Sequence, residues 1–236
     1  MADHVLTSED LALRGTLTQM IAERGHGPDT EQLAQRLGVS LAAATASLRR
    51  LHDAHALLLH PHACAPWVVH PFALSPGSCW VRPCDDGASG PRSSGPKGYW
   101  ANCLYCGFGV SAALGCDAEI TTRYGGEGET VRYRIKDGAP APSDDVFHLS
   151  TPARQWWANV IFACASFQPF RTEADADDWC ARHRLPKGAV MTIPALWAFA
   201  ADWYGDYLKQ PWRKRSRAET QEVLARHGLT SAFWAI

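Results

Sequence analysis

The chain has 236 residues, of which 46% are hydrophobic and 20% are charged, and its formal net charge is −1 at pH 7. This composition is typical of a globular protein with room for one well-cored domain, or for a small domain joined to a larger one. The near-zero charge provides no overall field that would attract nucleic acid or an anionic membrane surface. Because the N-terminus has no basic segment followed by an apolar one, and no stretch has the length of a membrane span, we expect a cytoplasmic protein.

Apolar side chains at helical spacing predict three helices within residues 8–55. Residues 25–28 separate the first helix from the second, and Gly38 ends the second. Thr30 and Ser40 are the predicted N-caps of the second and third helices. The order of helix, glycine-containing turn and helix, followed by ALLLH as the start of a wing strand, resembles the helix-turn-helix of DNA-binding modules.

The third helix is poorly equipped to read DNA bases. A recognition helix normally exposes several Arg, Lys, Asn or Gln side chains. This helix offers small hydroxyl side chains instead, and its two arginines come only near its end: Ser40, Thr45, Ser47, Arg49 and Arg50. We therefore expect the N-terminal helices to pack on the rest of the chain and not to bind DNA.

From about residue 67 the pattern changes to short strands broken by Pro and Gly. WVVHPFAL and SCWVRP predict strands, residues 84–98 predict a mobile loop, and DAEITTRY with TVRYRI predicts a β-hairpin. Helices are predicted for TEADADDWCARHR, PALWAFAADWYGDYLK and ETQEVLARHG. The predicted fold class is α+β, with a helix-turn-helix-like N-terminal domain (residues 1–66) and a catalytic domain (residues 67–236) that has a mainly antiparallel sheet core and flanking helices.

The aromatic side chains of the second of these C-terminal helices are expected to be core. They are Trp197, Phe199, Trp203 and Tyr204.

Eight cysteines in a cytosolic chain are better explained as buried thiols, metal ligands or nucleophiles than as disulfides. Cys103 and Cys106 form a C-x-x-C pair, whose sulfurs can share one face of a helix or converge in a turn. A structural zinc site needs four ligands, and without a second C-x-x-C either Cys79 or Cys84 would have to be recruited. A thioredoxin-like redox pair should follow a strand in a βαβ unit, whereas the neighbouring pattern predicts hairpins. Soft-metal chemistry is the third alternative.

Five histidines also lie close together in the sequence and have the capacity to bind a transition metal. They are His52, His55, His60, His62 and His70. Their spacing matches no fixed ligand motif, so we expect them to be solvated or structural. The chain contains no nucleophile elbow, phosphate-binding loop or H-E-x-x-H motif that would indicate another enzyme class.

Several segments, taken in order, carry a family resemblance. HPFALSPG precedes YWANC, which ends at Cys103 and is followed by an apolar run, a glycine and the strand DAEITTRY. Cys164 then precedes an acidic segment that ends at Trp179, and Cys180 lies beyond that tryptophan. This arrangement resembles the organomercurial (alkylmercury) lyases of bacterial mercury resistance over nearly the whole chain. In that alignment Cys164, and not Cys180, is the second cysteine of the site.

The resemblance implies an enzyme that cleaves R–Hg⁺ to R–H and Hg(II), with mercury as substrate and product and with no organic cofactor. It implies that Cys103 and Cys164 bind mercury, which suits thiolates because soft metals prefer sulfur to oxygen ligands. The family's usual aspartate, three residues after the first cysteine, is replaced here by Cys106. We expect Cys106 to act as a third thiolate or as the proton source, so all three cysteines are the predicted catalytic and metal-binding residues.

The expected partners are an organomercurial or another soft-metal small molecule, small cellular thiols, and a mercuric reductase as product acceptor, with no membrane. Two other functions remain open on the sequence. One is a non-catalytic soft-metal binder or a metal-responsive DNA-binding regulator that uses the same cysteines. The other is a family member recruited to a different lyase or transferase reaction, because a fold does not by itself determine a reaction.

Overall fold

The computed structural model describes residues 5–84 and 98–236. Helices flank antiparallel sheets, so the predicted α+β class is confirmed. Most of the loop predicted at residues 84–98 lies outside the described residues. Within the described ranges, no helix combines the length and the hydropathy that crossing a membrane requires.

Three helices form the N-terminal part of the chain: Ser8–Arg24 (α1), Thr30–Leu37 (α2) and Leu41–Asp53 (α3). Ser40 caps α3, as predicted. The cap of α2 is Asp29 and not Thr30, because the Asp29 carboxylate accepts a hydrogen bond from a first-turn backbone N–H and carries a negative charge at the positive end of the helix. The Thr30 hydroxyl instead donates to the Cys64 carbonyl, 3.0 Å away.

The larger sheet comprises Leu58–Leu59 (β1), Pro66–Val69 (β2), Phe72–Ala73 (β3), Cys79–Pro83 (β4), Tyr99–Ala101 (β5), Ala118–Arg123 (β6), Thr130–Lys136 (β7) and Ala139–Pro140 (β8). Its described strands follow the order β1-β2-β3-β5-β4-β6-β7-β8, with every neighbouring pair antiparallel. The predicted hairpin is confirmed as β6 and β7. The strand predicted after α3 is β1, at the edge of this sheet.

The smaller sheet comprises Val146–Leu149 (β9), Phe167–Phe170 (β10) and Ala189–Thr192 (β11), with β9 in the centre and both pairs antiparallel. The remaining helices are Leu104–Leu114 (α4), Val160–Ala165 (α5), Glu173–His183 (α6), Ile193–Tyr204 (α7) and Arg217–Arg226 (α8). Of these, α6, α7 and α8 are the helices predicted from the C-terminal sequence. The division into two domains at residue 66 stays a prediction, and the buried side chains of α1–α3 and of the larger sheet belong to one continuous hydrophobic cluster.

Helix α4 lies between the larger sheet and α7, and two glycines permit this close packing. A Cβ atom on Gly107 would lie 3.0 Å from the side chain of Ile120 in β6. A Cβ atom on Gly109 would lie 2.4 Å from the ring of Tyr204 and 2.9 Å from Pro71. Any larger residue at Gly109 would therefore push α7 and the β2–β3 turn away from the start of α4.

A buried carboxylate ties α1 to α3. Asp10 accepts hydrogen bonds from the Ser47 hydroxyl and from the Arg50 guanidinium, with the closest Arg50 nitrogen 2.7 Å away. Burial acts to raise the pKa of Asp10, but the hydrogen bonds from Arg50 and Ser47 outweigh it and lower the pKa to about 2. The folded state therefore favours the charged carboxylate.

We expect Asp10→Asn to reduce the free energy of unfolding by about 2 kcal/mol at pH 7, because the lowered pKa measures how strongly folding stabilises the ionised form. This contribution is present above the ordinary carboxyl pKa of about 4 and is lost as the pH falls towards 2. Urea unfolding at pH 7 and pH 3 measures it, with the exposed Glu31→Gln in α2 as the control. Equal losses at both pH values would contradict this account.

Candidate functional site

Cys103 and Cys106 lie at the start of α4. Cys103 is the N-cap, with an extended backbone at φ −156° and ψ 173°, and Cys106 lies in the first turn. Their sulfur atoms are 3.6 Å apart, and both side chains are buried. Strand β5 leads directly into this helix start, so the C-x-x-C pair faces the protein interior and not solvent.

Cys164 approaches the same point from a different segment. It lies in α5, a short helix that begins where the Asn159 side chain caps the N–H of Phe162. The Cys164 sulfur lies within 4.8 Å of the Cys106 sulfur, and the Cys103 thiol is close enough to act on the pKa of Cys164. The fold thus brings together the three cysteines that the sequence predicts for the site.

His70 lies beside the cluster, although the sequence predicted that all five grouped histidines are solvated or structural. A nitrogen of its imidazole and the sulfurs of Cys106 and Cys164 all lie within 4.8 Å of one another. His70 lies in the turn between β2 and β3, where the chain directs its side chain inwards. The other four histidines of the predicted group do not belong to this cluster. One sequence signal was present, because His70 begins HPFALSPG, a segment that carries the family resemblance.

Burial and mutual contact keep the three thiols in the neutral form. Burial, assisted by the neighbouring Cys106, raises the pKa of Cys103 well above that of an ordinary thiol. The hydrogen bond to Cys103 and burial raise the pKa of Cys164. The hydrogen bond from Cys103 acts to lower the pKa of Cys106, but the contact with Cys164 and burial outweigh it. Without a metal, the cluster therefore stores its protons on sulfur.

A buried arginine lies near the histidine. Burial and the positive charge of Arg14 lower the pKa of His70 to about 4, so the imidazole is neutral at pH 7. Burial lowers the pKa of Arg14 to about 10, so the guanidinium stays charged. Its Nε donates to the Ala56 carbonyl at 3.3 Å, and its plane lies 3.5 Å from the ring centre of Trp212. Its Nη1 atom is buried and has no hydrogen-bond partner among the described residues.

Aromatic rings form one wall of the site. Tyr105 stacks on Phe199, with ring centres 4.9 Å apart, and contacts Tyr204. The Tyr204 side chain also interacts with the Cys106 thiol. The Tyr105 hydroxyl is buried without a hydrogen-bond partner in the described part of the chain. The aromatic residues predicted as core packing in α7 therefore include one, Tyr204, that borders the thiols.

A surface cleft of about 1000 Å³ is lined by Trp157, which stacks on His55 with ring centres 4.8 Å apart. The same indole meets the ring of His70 edge-on at 5.5 Å. Trp157 therefore lines the cleft and contacts one of the clustered donor residues.

The other cysteines do not join the cluster, although Cys79 is close enough to contribute to the raised pKa of Cys164. All eight cysteines fall within the described residues and none forms a disulfide. Cys180 contacts His148 at 3.3 Å, away from the three clustered thiols. Cys79 is buried in β4, and neither it nor the partly exposed Cys84 belongs to a group with metal-ligand spacing among the described residues.

Comparisons with known proteins agree with this geometry. The family model for alkylmercury lyase (MerB) matches residues 94–205, a range that contains all three clustered cysteines. The crystal structure of the mercury-bound form of MerB2 matches with a TM-score of 0.62 and 15% sequence identity, covering 86% of this chain and 93% of that chain. No curated protein matches. The resemblance predicted from the sequence is confirmed, and the structural likeness shows a shared fold.

We expect the clustered thiols to react slowly with iodoacetamide at pH 7, because alkylation requires an accessible thiolate. Cys64, Cys84 and Cys116 are partly exposed and should be alkylated first. Mass spectrometry of peptides from a time course measures this order in the reduced protein. Alkylation of Cys103 or Cys106 ahead of these three cysteines would be inconsistent with a buried, protonated cluster.

Proposed function

We propose that this relative of the alkylmercury lyases cleaves carbon–mercury bonds, converting R–Hg⁺ and a proton into R–H and Hg(II). One observation carries the proposal: three thiols from two distant segments meet in a buried cluster, within the range that matches the family. Mercury is the substrate and product of this reaction, and the proposed mechanism uses no organic cofactor.

Thiolates suit this reaction because mercury is a soft metal that binds sulfur far better than water or carboxylate oxygen. In the proposed mechanism, Cys103 and Cys164 coordinate the metal of the bound organomercurial. Electron density from two sulfurs weakens the mercury–carbon bond and makes the carbon more basic. Because both sulfurs are fixed by the fold before substrate arrives, little ordering entropy is lost when the metal binds.

Because their pKa values are raised, the clustered thiols are protonated and can supply the proton that the reaction needs. In the first step R–Hg–X exchanges its ligand X for one thiol, releasing HX. A second thiol then coordinates mercury, and a cluster proton passes to carbon as the carbon–mercury bond breaks. The sum is R–Hg–X plus two thiols giving R–H, HX and mercury bound by two thiolates. Cys106, which lies 3.6 Å from Cys103, is the proposed donor of the proton to carbon.

The proposed partners follow from how the product leaves. Hg(II) held by two or three thiolates leaves quickly only by exchange onto other thiolates. Small cellular thiols would therefore deliver the substrate and remove the product, and a mercuric reductase would be a suitable final acceptor. Substrates would enter by way of the cleft beside Trp157, where the indole contacts the ring of His70.

Contacts in α3 argue against the regulator alternative. Of the side chains that could reach DNA bases, Ser40 caps its own helix and Ser47 is buried against Asp10. Arg50 is paired with the same carboxylate. A metal-responsive repressor would bind DNA with an affinity that depends on both metal and salt, and we expect this protein to show none.

We expect phenylmercury, in the presence of excess small thiol, to be converted to benzene by the reduced protein, and conversion to fall to background in Cys103→Ser and in Cys164→Ser. Gas chromatography of released benzene measures the reaction. Cys180→Ser is the matched control and should keep full activity, because that thiol contacts His148 and lies outside both the cluster and the cleft. Tight mercury binding by the unchanged protein without any benzene would refute the lyase and favour a binder or a different reaction.

We expect Cys106→Ala to slow turnover by about 10²-fold, the usual contribution of a positioned proton donor. Cys106→Asp should preserve or raise turnover, because it restores the family's usual residue at this position. Single-turnover release of benzene after saturation with phenylmercury separates this step from substrate binding. Complete loss of turnover in Cys106→Asp, with mercury binding intact, would count against a lyase that uses this position.

A further inference from the structure

We propose that Cys103, Cys106, Cys164 and His70 also form a binding site for a divalent cation of the zinc type, held by three thiolates and one imidazole. This inference does not depend on the carbon–mercury reaction. It rests on the position of His70, which lies outside the residues that match the lyase family, and on the charge of the surrounding protein.

The spacing of the donor atoms fits a tetrahedral ion. Zinc binds sulfur at about 2.3 Å and nitrogen at about 2.0 Å, so the ligand atoms of a tetrahedral site lie about 3.5–3.8 Å apart. Here the sulfurs of Cys103 and Cys106 are already 3.6 Å apart. A His70 nitrogen and the sulfurs of Cys106 and Cys164 lie within 4.8 Å of one another. Cys103 is not part of that group of three, but its sulfur contacts that of Cys106, and a side-chain rotation would bring it into the ligand set.

The donor types also match. Three cysteines and one histidine are a common complete ligand set for zinc, whereas two cysteines and a carboxylate are not. The C-x-x-C pair supplies two of the ligands, and the other two come from segments far away in sequence. Cys79 and Cys84, which the sequence suggested as further zinc ligands, join no group with metal-ligand spacing in the described part of the chain.

The positive charges around the cluster favour a bound metal complex that has a net negative charge. Binding of Zn²⁺ to three thiols and one imidazole releases three protons and leaves a complex with a charge of −1. The buried Arg14 guanidinium interacts with His70 and has one nitrogen without a hydrogen-bond partner among the described residues. A buried cation whose charge no carboxylate neutralises is costly, and an anionic neighbour would reduce that cost. The N-terminus of α4, where Cys103 is the cap, adds a partial positive charge.

A bound zinc ion would protect the thiols from oxidation. Mercury would still displace it, because soft metals bind thiolates more tightly than zinc does. Because zinc binding removes the thiol protons, the zinc form would be a protected state, and the cluster would have to lose the ion and take up protons before Cys106 could donate one to carbon.

The test measures metal binding without any mercury. The reduced full-length protein is dialysed against zinc sulfate and then against metal-free buffer, and its zinc content is determined by mass spectrometry. The expected result is one zinc per chain, together with an intense sulfur-to-cobalt charge-transfer band and tetrahedral d–d bands when Co²⁺ replaces zinc. His70→Asn and Cys106→Ser should weaken zinc binding at least tenfold. His26→Asn and Cys64→Ser, which alter residues outside the cluster, should leave it unchanged.

His70→Cys distinguishes a ligand from a merely structural residue. If His70 is a ligand, this variant retains zinc and its cobalt spectrum shifts towards that of a four-thiolate site. Thermal unfolding of each variant shows whether it is folded. Absence of stoichiometric zinc in the unchanged protein would overturn the inference, as would an identical cobalt spectrum in folded His70→Asn. Neither result changes what the benzene assay shows, so the proposal of a zinc site and the proposal of lyase activity are tested separately.

Discussion

The contact of three protonated thiols beneath one imidazole, at the first turn of α4, is the constraint on which the rest of this structure depends. A neutral thiol packs as a small hydrophobic group, so Cys103, Cys106 and Cys164 are members of the main hydrophobic core. The same atoms become strong ligands as soon as a soft metal displaces their protons. The proposed metal site would therefore bury no unpaired charge before a metal binds.

The position of α4 makes this contact possible. The glycine at residue 109 lets Tyr204 and Pro71 approach the helix, and the turn beside Pro71 carries His70 to the thiols. Helix α1 contributes Arg14 to the same region. The N-terminal helices therefore have a part in the electrostatics of the site, which gives them a role that requires no nucleic acid.

A thiol at position 106, where the family resemblance predicts an aspartate, suits this environment. An ionised aspartate buried among thiols would require a nearby cation or a strongly raised pKa. A thiol is protonated at neutral pH and can be buried at lower cost. In the proposed function it would keep a proton close to the metal, and it would make the donor set one that zinc also favours.

The sequence by itself determined the α+β class, most helices and the β6–β7 hairpin, because hydrophobic periodicity, caps and glycine turns are local properties. It also identified the three cysteines, through the order of short segments that resemble the alkylmercury lyases. It did not identify the α2 cap correctly, since Asp29 and Thr30 are adjacent and both are good caps. Only the tertiary structure decided that His70 and Arg14 belong with the thiols, because their proximity depends on how β2, β3 and α1 pack against α4. No sequence spacing encodes a contact between segments so far apart along the chain.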